Sequence, residues 1–266
     1  MDLLTNKKIV VIGGSRGTGL AIVGAFYHAG ADVLVVARHS QSLTDLADDF
    51  PAVRTLQADM TDASTIEAIF QDSPDVVILA GGATPPTQPV FELDWETFST
   101  NWNIDVKASY MLLQSALTTP AKAGTLILFI ASGAALGGSP ISGGYAGAKR
   151  MQMFLANYAQ LASDRLGLGL RFLTLAPWRL MKDTGTGDAV VPEYAKFMGV
   201  SEADFVAGMT LAQTKEEVAE AVVSVAKQWP APQAGNVFVV SSEGIATESD
   251  MLKGRPFWQN VDRQRT

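Results

Sequence analysis

The sequence predicts a single α/β domain over residues 1–266, with a doubly wound parallel sheet of about seven strands and helices on both faces. Short β-branched and apolar runs, such as Lys8–Ile12 and Asp32–Ala37, alternate with stretches of helical periodicity along the chain. This alternation is typical of a parallel sheet that is covered on both faces. With 47% hydrophobic and 18% charged residues, and no repeat or linker, the chain has the composition of one globular domain.

The apolar runs set the order of the elements. We expect strands at residues 8–12, 32–37, 53–57, 75–80, 125–130, 170–175 and 236–240. Helices are expected at 20–29, from about 94 to 118, from about 143 to 166, and from a capping box at Thr214 and Glu217 to residue 229. The stretch 178–213 shows no clear periodicity, so we expect an irregular lid there, and residues 251–266 form a C-terminal tail.

Composition excludes several function classes. The chain has no cysteine, and its two histidines, His28 and His39, lie eleven residues apart on different predicted elements, so the sequence predicts no metal site. A formal charge of −7 argues against nucleic-acid binding. Because no apolar run is long enough for a membrane span and the first residues do not resemble a secretion signal, we expect a soluble, cytoplasmic protein.

A glycine-rich turn follows the first predicted strand. Gly13, Gly17 and Gly19, with Ser15 and Thr18 between them, stand where the chain passes from strand to helix. Glycines let backbone N–H groups and a helix N-terminus approach a pyrophosphate. The spacing differs from the common dinucleotide fingerprint, and a glycine-rich turn after a strand often has no role in phosphate binding. Its position between the first strand and the first helix favours phosphate binding.

The second predicted strand ends without the carboxylate that usually binds the adenosine ribose of NAD. Ala37 and Arg38 stand there, followed by His39. Arg38, with Arg16 from the glycine turn, suits a 2′-phosphate, which predicts NADP(H) as the cofactor. The alternative is that both arginines are ordinary surface residues.

Three polar residues predict hydride transfer to a carbonyl compound. Tyr145 and Lys149 stand at i and i+4 on one predicted helix, and Ser132 lies thirteen residues before Tyr145 at a strand end. A tyrosine beside an ammonium group can supply the proton that a developing alkoxide needs. Taken alone, the tyrosine and the lysine are also consistent with a solvated surface pair. Together with the glycine turn and the strand order, they make the chain resemble a short-chain dehydrogenase/reductase from Lys8 to about Gly244.

The resemblance implies a role for each residue of this group. Tyr145 is the general acid or base, Ser132 hydrogen-bonds the substrate oxygen, and Lys149 binds the nicotinamide ribose and favours ionisation of the tyrosine. Asp105 falls at the asparagine that the family has in its long helix, with Asn103 as the competing assignment. The residues that this resemblance adds to the cofactor site are Asp59, Met60, Ala80, Gly81, Gly82, Pro177 and Trp178.

The chain departs from the family pattern at several of these positions. Ile12 replaces a threonine, Ile78 and Leu79 replace two asparagines, and Trp178 replaces a glycine after Pro177. Trp178 must therefore redirect its loop or act as a wall of the nicotinamide site. Asp59 could also cap the helix that is expected after residue 62.

The expected lid contains large apolar side chains. Trp178, Met181, Phe197 and Met198 predict contact with an apolar carbonyl or alcohol substrate, although they could equally seal short helices onto the core. Relatives pair through the helix at 143–166 and the one before it, so we expect a homodimer or homotetramer. A second hypothesis is an NADP-binding sensor or partner subunit with little redox turnover. The direction of the reaction stays open.

Overall fold

The computed structural model describes residues 4–119, 121–179, 183–209, 211–228 and 235–253. Its strands form one sheet in the order β3-β2-β1-β4-β5-β6-β7-β8, in which every pairing is parallel except that between β7 and β8. The order reverses between β1 and β4, which confirms the predicted doubly wound fold. The strands are β1 Lys8–Ile12, β2 Asp32–Ala37, β3 Arg54–Gln57, β4 Val76–Leu79, β5 Leu126–Ile130, β6 Arg171–Pro177, β7 Val237–Ser241 and β8 Gly244–Thr247.

Two hydrophobic cores lie on opposite faces of the sheet, because successive strand residues point to opposite sides. Ile9 and Val11 of β1 pack into one core, whereas Val10 and Ile12 pack into the other. The first core is covered by α1, α2 and α10, and the second by α3, α5 and α7. The helices are α1 Gly17–His28, α2 Ser40–Asp49, α3 Ala63–Gln71, α4 Trp95–Phe98, α5 Lys107–Thr118, α6 Ala134–Gly137, α7 Gly143–Leu166, α8 Gly185–Met198, α9 Glu202–Ala207, α10 Lys215–Gln228 and α11 Glu248–Leu252.

Several predicted elements match closely. The helix expected at 143–166 is α7, residue for residue, and Gly167 ends it in the left-handed conformation. The capping box before α10 forms as expected. The Glu217 carboxylate accepts a hydrogen bond from the Thr214 N–H at 2.7 Å, and the Thr214 hydroxyl accepts one from the Glu217 N–H at 3.1 Å.

The stretch expected to be irregular at 178–213 is largely helical, so that prediction was wrong. Thr184 caps α8 by accepting a hydrogen bond from the Gly187 N–H, and Gly199 ends the helix at a φ of 68°. Pro192 lies inside α8. Glycines in the first turn and an internal proline give this segment a low helix propensity, which tertiary packing overrides.

The long helix expected at 94–118 is divided. Residues Trp95–Phe98 form α4, and Trp102–Val106 form a π-helical turn before α5 begins at Lys107. The sequence pattern also missed β8, which pairs antiparallel with β7 and follows a tight turn. No helix in the part of the chain that the structure describes is long and apolar enough to cross a membrane. Residues 254–266 of the expected tail lie outside the described residues.

Candidate active site

The glycine turn brings two strand ends into close contact. Gly13 has a φ of +82°, and a Cβ there would lie 2.3 Å from the Gly81 Cα, so only glycine fits. The Ile12 carbonyl accepts hydrogen bonds from the N–H groups of both Ala80 and Gly81, each at 2.9 Å. These backbone bonds join β1 to the end of β4, where the family pattern would place polar side chains. Ile78 and Leu79 are buried in the two cores instead.

A cleft of about 1290 Å³, including its open mouth, lies at the carboxyl ends of the strands. It is centred on the point where the strand order reverses, the usual ligand site in open α/β sheets. The helix α1 points its N-terminus into this cleft through the glycine turn. The predicted site residues that line the cleft are Gly13, Ser15, Arg16, Gly17, Thr18, Gly19, Arg38, His39, Met60, Ala80, Gly81, Gly82, Asp105, Ser132, Tyr145, Lys149 and Pro177.

Lys149 and Tyr145 lie side by side on α7. The Lys149 ammonium is 5.7 Å from the centroid of the Tyr145 ring and donates a hydrogen bond to the Ile130 carbonyl at 3.2 Å. That carbonyl closes β5, so the lysine side chain crosses from the helix to the sheet. Ser132 follows two residues after β5, and its hydroxyl accepts a hydrogen bond from the Ala134 N–H at 3.2 Å. The structure thus brings Ser132, Tyr145 and Lys149 to one cleft.

Asp105 forms a buried ion pair with Lys149. Its carboxylate is 3.4 Å from the ammonium, and the two side chains are 0% and 6% exposed. The same carboxylate accepts hydrogen bonds from the Ala83 N–H at 2.8 Å and from the Asn101 side-chain amide at 3.4 Å. Asn103, the competing assignment, is exposed and donates to the Ser99 hydroxyl instead. Asp105, and not Asn103, therefore faces Lys149.

The π-helical turn places Asp105 in the cleft. Asn101, which is fully buried, donates a hydrogen bond to the Ala83 carbonyl at 2.9 Å, while Asp105 accepts one from the N–H of the same residue. These two bonds hold the loop after β4 against the helix. A π-helical insertion shifts the face that later residues present, and such insertions are frequent at functional sites.

Arg38 and Asp59 lie together beyond the carboxyl ends of β2 and β3. Their charged groups are 4.0 Å apart, and both side chains are partly exposed. The Asp59 carboxylate also accepts bonds from the N–H and hydroxyl of Thr61, each at 2.8 Å, and these bonds, with Arg38 and Lys107 nearby, hold the pKa of that carboxyl below 3.8. Asp59 does not cap α3, whose N-cap is Asp62.

Some predicted site residues do not line the cleft. Among the described residues, Asp59, Trp178, Phe197 and Met198 do not line it. The Arg179 guanidinium instead lies 4.9 Å from the centre of the Trp178 ring, and the Trp178 backbone N–H donates a hydrogen bond to the Val240 carbonyl of β7. Phe197 and Met198 are 48% and 41% exposed at the end of α8. Met181 lies outside the described residues.

A second helix N-terminus, which the sequence pattern did not predict, lies in the cleft. The first residues of α8 and its cap stand opposite the glycine turn, and a Cβ at Gly185 would lie 3.9 Å from the Arg16 guanidinium carbon. The small-residue sequence before residue 188 could have indicated this close approach. The lining residues that were missed here and in the neighbouring loops are Ala83, Thr84, Arg179, Thr184, Gly185, Thr186 and Gly187.

Comparison with known proteins assigns the family. A model of the short chain dehydrogenase family matches residues 7–176, which is more than half of the chain. The chain belongs to the short-chain dehydrogenase/reductase family. This family membership and the fold agree with the resemblance that the sequence motifs predict.

Its relatives within the short-chain dehydrogenases/reductases include sugar-converting enzymes. L-xylulose reductase of Mus musculus is 30% identical over 43% of this chain, and the match spans only 48% of that relative. The short chain dehydrogenase/reductase AacuD of Aspergillus aculeatus is 26% identical over 78% of this chain and 79% of its own. The fold of L-sorbose reductase from Gluconobacter frateurii, solved with NADPH and L-sorbose, covers 91% of this chain and 98% of its own, with a TM-score of 0.73 and 21% identity.

Proposed function

We propose that this protein reduces a ketone or aldehyde to an alcohol with NADPH, or catalyses the reverse oxidation, in the cytoplasm. The observation that carries the proposal is the meeting of Ser132, Tyr145 and Lys149 in the cleft that the glycine turn opens. Phosphate-binding geometry and a proton donor in one cleft are what hydride transfer to a carbonyl group requires.

The cleft fits a nicotinamide dinucleotide. The contact between Gly13 and Gly81 leaves bare backbone beside the N-terminus of α1, where N–H groups favour a pyrophosphate. Arg16, the N-cap of α1, lines the cleft, where its guanidinium can donate hydrogen bonds to an anion. Bound NADPH would supply the hydride. Ala80, Gly81 and Gly82 would border its nicotinamide half.

The chain's own residues would control the proton and the carbonyl group. Tyr145 donates its phenolic proton to the oxygen of the substrate as the carbon accepts the hydride, and Ser132 donates a hydrogen bond to the same oxygen. The neighbouring ammonium of Lys149 favours the negative charge that remains on Tyr145. Asp105 holds that ammonium in place through the 3.4 Å ion pair.

Arg38 favours NADP(H) over NAD(H). It lines the cleft at the end of β2, and among the described residues no carboxylate lines the cleft there to accept the ribose hydroxyls. A guanidinium recognises a phosphate dianion by charge-assisted hydrogen bonds. Arg16 would approach the same phosphate from the glycine turn. The Asp59 carboxylate, 4.0 Å from Arg38, orients that guanidinium when the phosphate is absent.

The exposed aromatic face of α5 and α7 favours a homodimer or homotetramer. Tyr110 of α5 and Phe154, Tyr158 and Leu161 of α7 are 40–69% exposed. Exposed apolar side chains on neighbouring helices are typical of an interface. Two copies that pair these helices face to face would cover all four side chains.

Loss of turnover without loss of cofactor binding tests the proposed chemistry. Oxidation of NADPH should be followed at 340 nm with a panel of ketones and aldehydes, for the wild type and for Tyr145→Phe. We expect the variant to bind NADPH normally and to lose at least about a hundredfold in kcat, because general acid catalysis contributes roughly 10²–10⁴-fold. Retention of most of the wild-type rate by the variant would remove Tyr145 from the mechanism.

The Asp105–Lys149 pair also supports a second candidate, an NADP-binding sensor or partner subunit with little redox turnover. A buried carboxylate beside the ammonium offsets the positive charge that Tyr145 would otherwise experience. NADPH binding by titration, without consumption across the carbonyl panel, would favour this candidate.

A further inference from the structure

A second line of hydrogen bonds joins α7 to the π-helical turn, beside the Asp105–Lys149 ion pair. The Gln152 side-chain amide donates a hydrogen bond to the Ser109 hydroxyl at 2.8 Å, and that hydroxyl donates one to the Asp105 backbone carbonyl at 2.7 Å. Gln152, Ser109 and Asp105 are all fully buried. Because Gln152 lies one turn after Lys149, α7 holds Asp105 at two points, its carboxylate and its carbonyl.

Glycines let α7 approach the π-helical turn closely enough for these bonds to form. A Cβ at Gly144 would lie 2.0 Å from the Phe98 carbonyl oxygen, so only glycine fits there. A Cβ at Gly147 would lie 3.3 Å from the Trp102 ring. This close approach fixes the distance between the two backbones that the Gln152 side chain spans.

The core itself gains little from two polar side chains at this place. Ser109 and Gln152 lie on α5 and α7, which pack apolar residues into the second core. In the part of the chain that the structure describes, no group donates a hydrogen bond to the Gln152 side-chain oxygen. An apolar pair of the same shape avoids the desolvation of both polar groups and can be equally stable. Departures of this kind from core packing rules are expected at functional sites.

The two hydrogen bonds act on the junction between the π-helical turn and α5. The Ser109 hydroxyl bonds to the carbonyl four residues earlier, and such a back-bond bends a helix. A hydroxyl has one hydrogen, and the bond from Gln152 to the Ser109 oxygen leaves that hydrogen directed at the Asp105 carbonyl. The geometry of this junction decides which side chain of the turn faces Lys149. The two bonds therefore fix the register at which the Asp105 carboxylate meets the ammonium.

We propose that Gln152, acting through Ser109, is a positioning residue that holds Asp105 and, through it, the Lys149 ammonium in place for catalysis. The inference rests on the proposed reductase function. Neither Gln152 nor Ser109 lines the cleft, so any effect on the reaction has to pass through Asp105. An ammonium held at one position stabilises the charge that remains on Tyr145 better than one that moves.

The first test compares Gln152→Met with Gln160→Met. Methionine keeps the length of the side chain and removes its polar groups. We expect Gln152→Met to lower kcat for an accepted ketone about three- to tenfold, with KM for that ketone within about twofold of the wild type. Its melting temperature should stay within about 2 °C of the wild type, because the core does not need the polar pair.

Gln160→Met is the matched control, because Gln160 is a buried glutamine of the same helix. It accepts a hydrogen bond from the Phe172 N–H of β6 at 2.9 Å and donates one to the Leu170 carbonyl at 3.2 Å. Its replacement should lower the melting temperature and leave kcat unchanged at a temperature where the variant is folded.

Two further measurements show whether the effect passes through Asp105. In an Asp105→Asn background, Gln152→Met should lower the rate less than about twofold, because the ion pair that it supports is already gone. Single-turnover oxidation of NADPH detects this even in slow variants. Ser109→Ala, which also serves if Gln152→Met does not fold, should show the same loss in kcat as Gln152→Met. The double variant of Ser109 and Gln152 should lose no more than either single variant.

Several results would overturn the inference. These are a kcat of Gln152→Met or Ser109→Ala within about twofold of the wild type, and equal losses from Gln152→Met with and without the Asp105 carboxylate. A loss in kcat from Gln160→Met as large as that from Gln152→Met would indicate a merely structural role and overturn it as well. In these cases turnover by the wild type still supports the reductase function. Wild-type protein that binds NADPH but reduces no carbonyl compound would overturn both proposals.

Discussion

Removal of the Asp105 carboxylate should destabilise the protein, because the buried Lys149 ammonium would keep its hydrogen bond to the Ile130 carbonyl but lose its counter-ion. The two side chains are 0% and 6% exposed, with 3.4 Å between their charged groups. Removing one partner of a buried pair costs about 3–5 kcal/mol in free energy of unfolding. Since Lys149 lines an open cleft, we take the lower value of ~3 kcal/mol and add ~1 kcal/mol for the orphaned Ala83 N–H, which gives about 4 kcal/mol for Asp105→Ala.

Asp105→Asn separates the charge from the hydrogen bond. Its side-chain oxygen can still accept from Ala83, so we expect a smaller loss of about 2 kcal/mol. At about 2–4 °C for each kcal/mol in a protein of this size, the melting temperature should fall by roughly 8–16 °C for Asp105→Ala and by about half of that for Asp105→Asn. Thermal unfolding without cofactor at pH 7 measures both values.

A double-mutant cycle with Lys149→Met completes this test. Removing both charges should cost less than the sum of the single losses, with a coupling of about 2 kcal/mol, because the double variant leaves no unpaired charge. Additive losses, or a melting temperature of Asp105→Ala within about 2 °C of the wild type, would refute the reasoning that the pair is a buried, mutually dependent unit.

Three further predictions concern the cofactor, the pH dependence of stability and the assembly. Arg38→Asp should lower the ratio of NADP to NAD affinity at least about tenfold by titration, and an unchanged ratio would exclude a phosphate role for Arg38. Burial acts to raise the pKa of the Asp75 carboxyl, but hydrogen bonds from Lys122, the Lys8 backbone and Lys7 outweigh it and hold that pKa below 3.8. The stabilisation by the ionised Asp75 carboxylate is therefore present above pH 3.8 and is lost as the pH falls through the lowered pKa. In urea unfolding, Asp75→Asn should be less stable than the wild type at pH 7. A difference in stability that persists undiminished at pH 2 would contradict this sign. Leu161→Asp should convert an oligomer to monomer in light scattering, whereas an unchanged mass would place the interface elsewhere.

The strands and α7 could be predicted from the sequence because burial on both faces leaves little choice. All five residues of β5 are buried, and such a continuous apolar run is typical of a central strand. Helix α7 begins and ends where the pattern predicts, with Gly167 as its stop. The spacing of Tyr145 and Lys149 on that helix then fixes their common face.

The remaining parts depend on tertiary contacts that local patterns do not contain. The break before α5 arises because Asn101 and Asp105 bond to Ala83, a residue of another loop. The helix α8 forms in spite of Pro192. The sequence alone left Asp105 and Asn103 as alternatives, because local patterns do not predict the π-helical turn. This turn changes the register of the helix and decides which of the two residues faces Lys149.

The transfer of deuterium to the substrate from NADPH that is deuterated at both C4 positions tests the central claim most directly. The wild type, incubated with a carbonyl compound that it accepts, should give an alcohol that carries deuterium on the former carbonyl carbon, as detected by mass spectrometry. Tyr145→Phe should bind the same cofactor and form at least about a hundredfold less labelled alcohol. Tight binding of the labelled cofactor with no labelled alcohol from the wild type, across the carbonyl panel, would contradict the account.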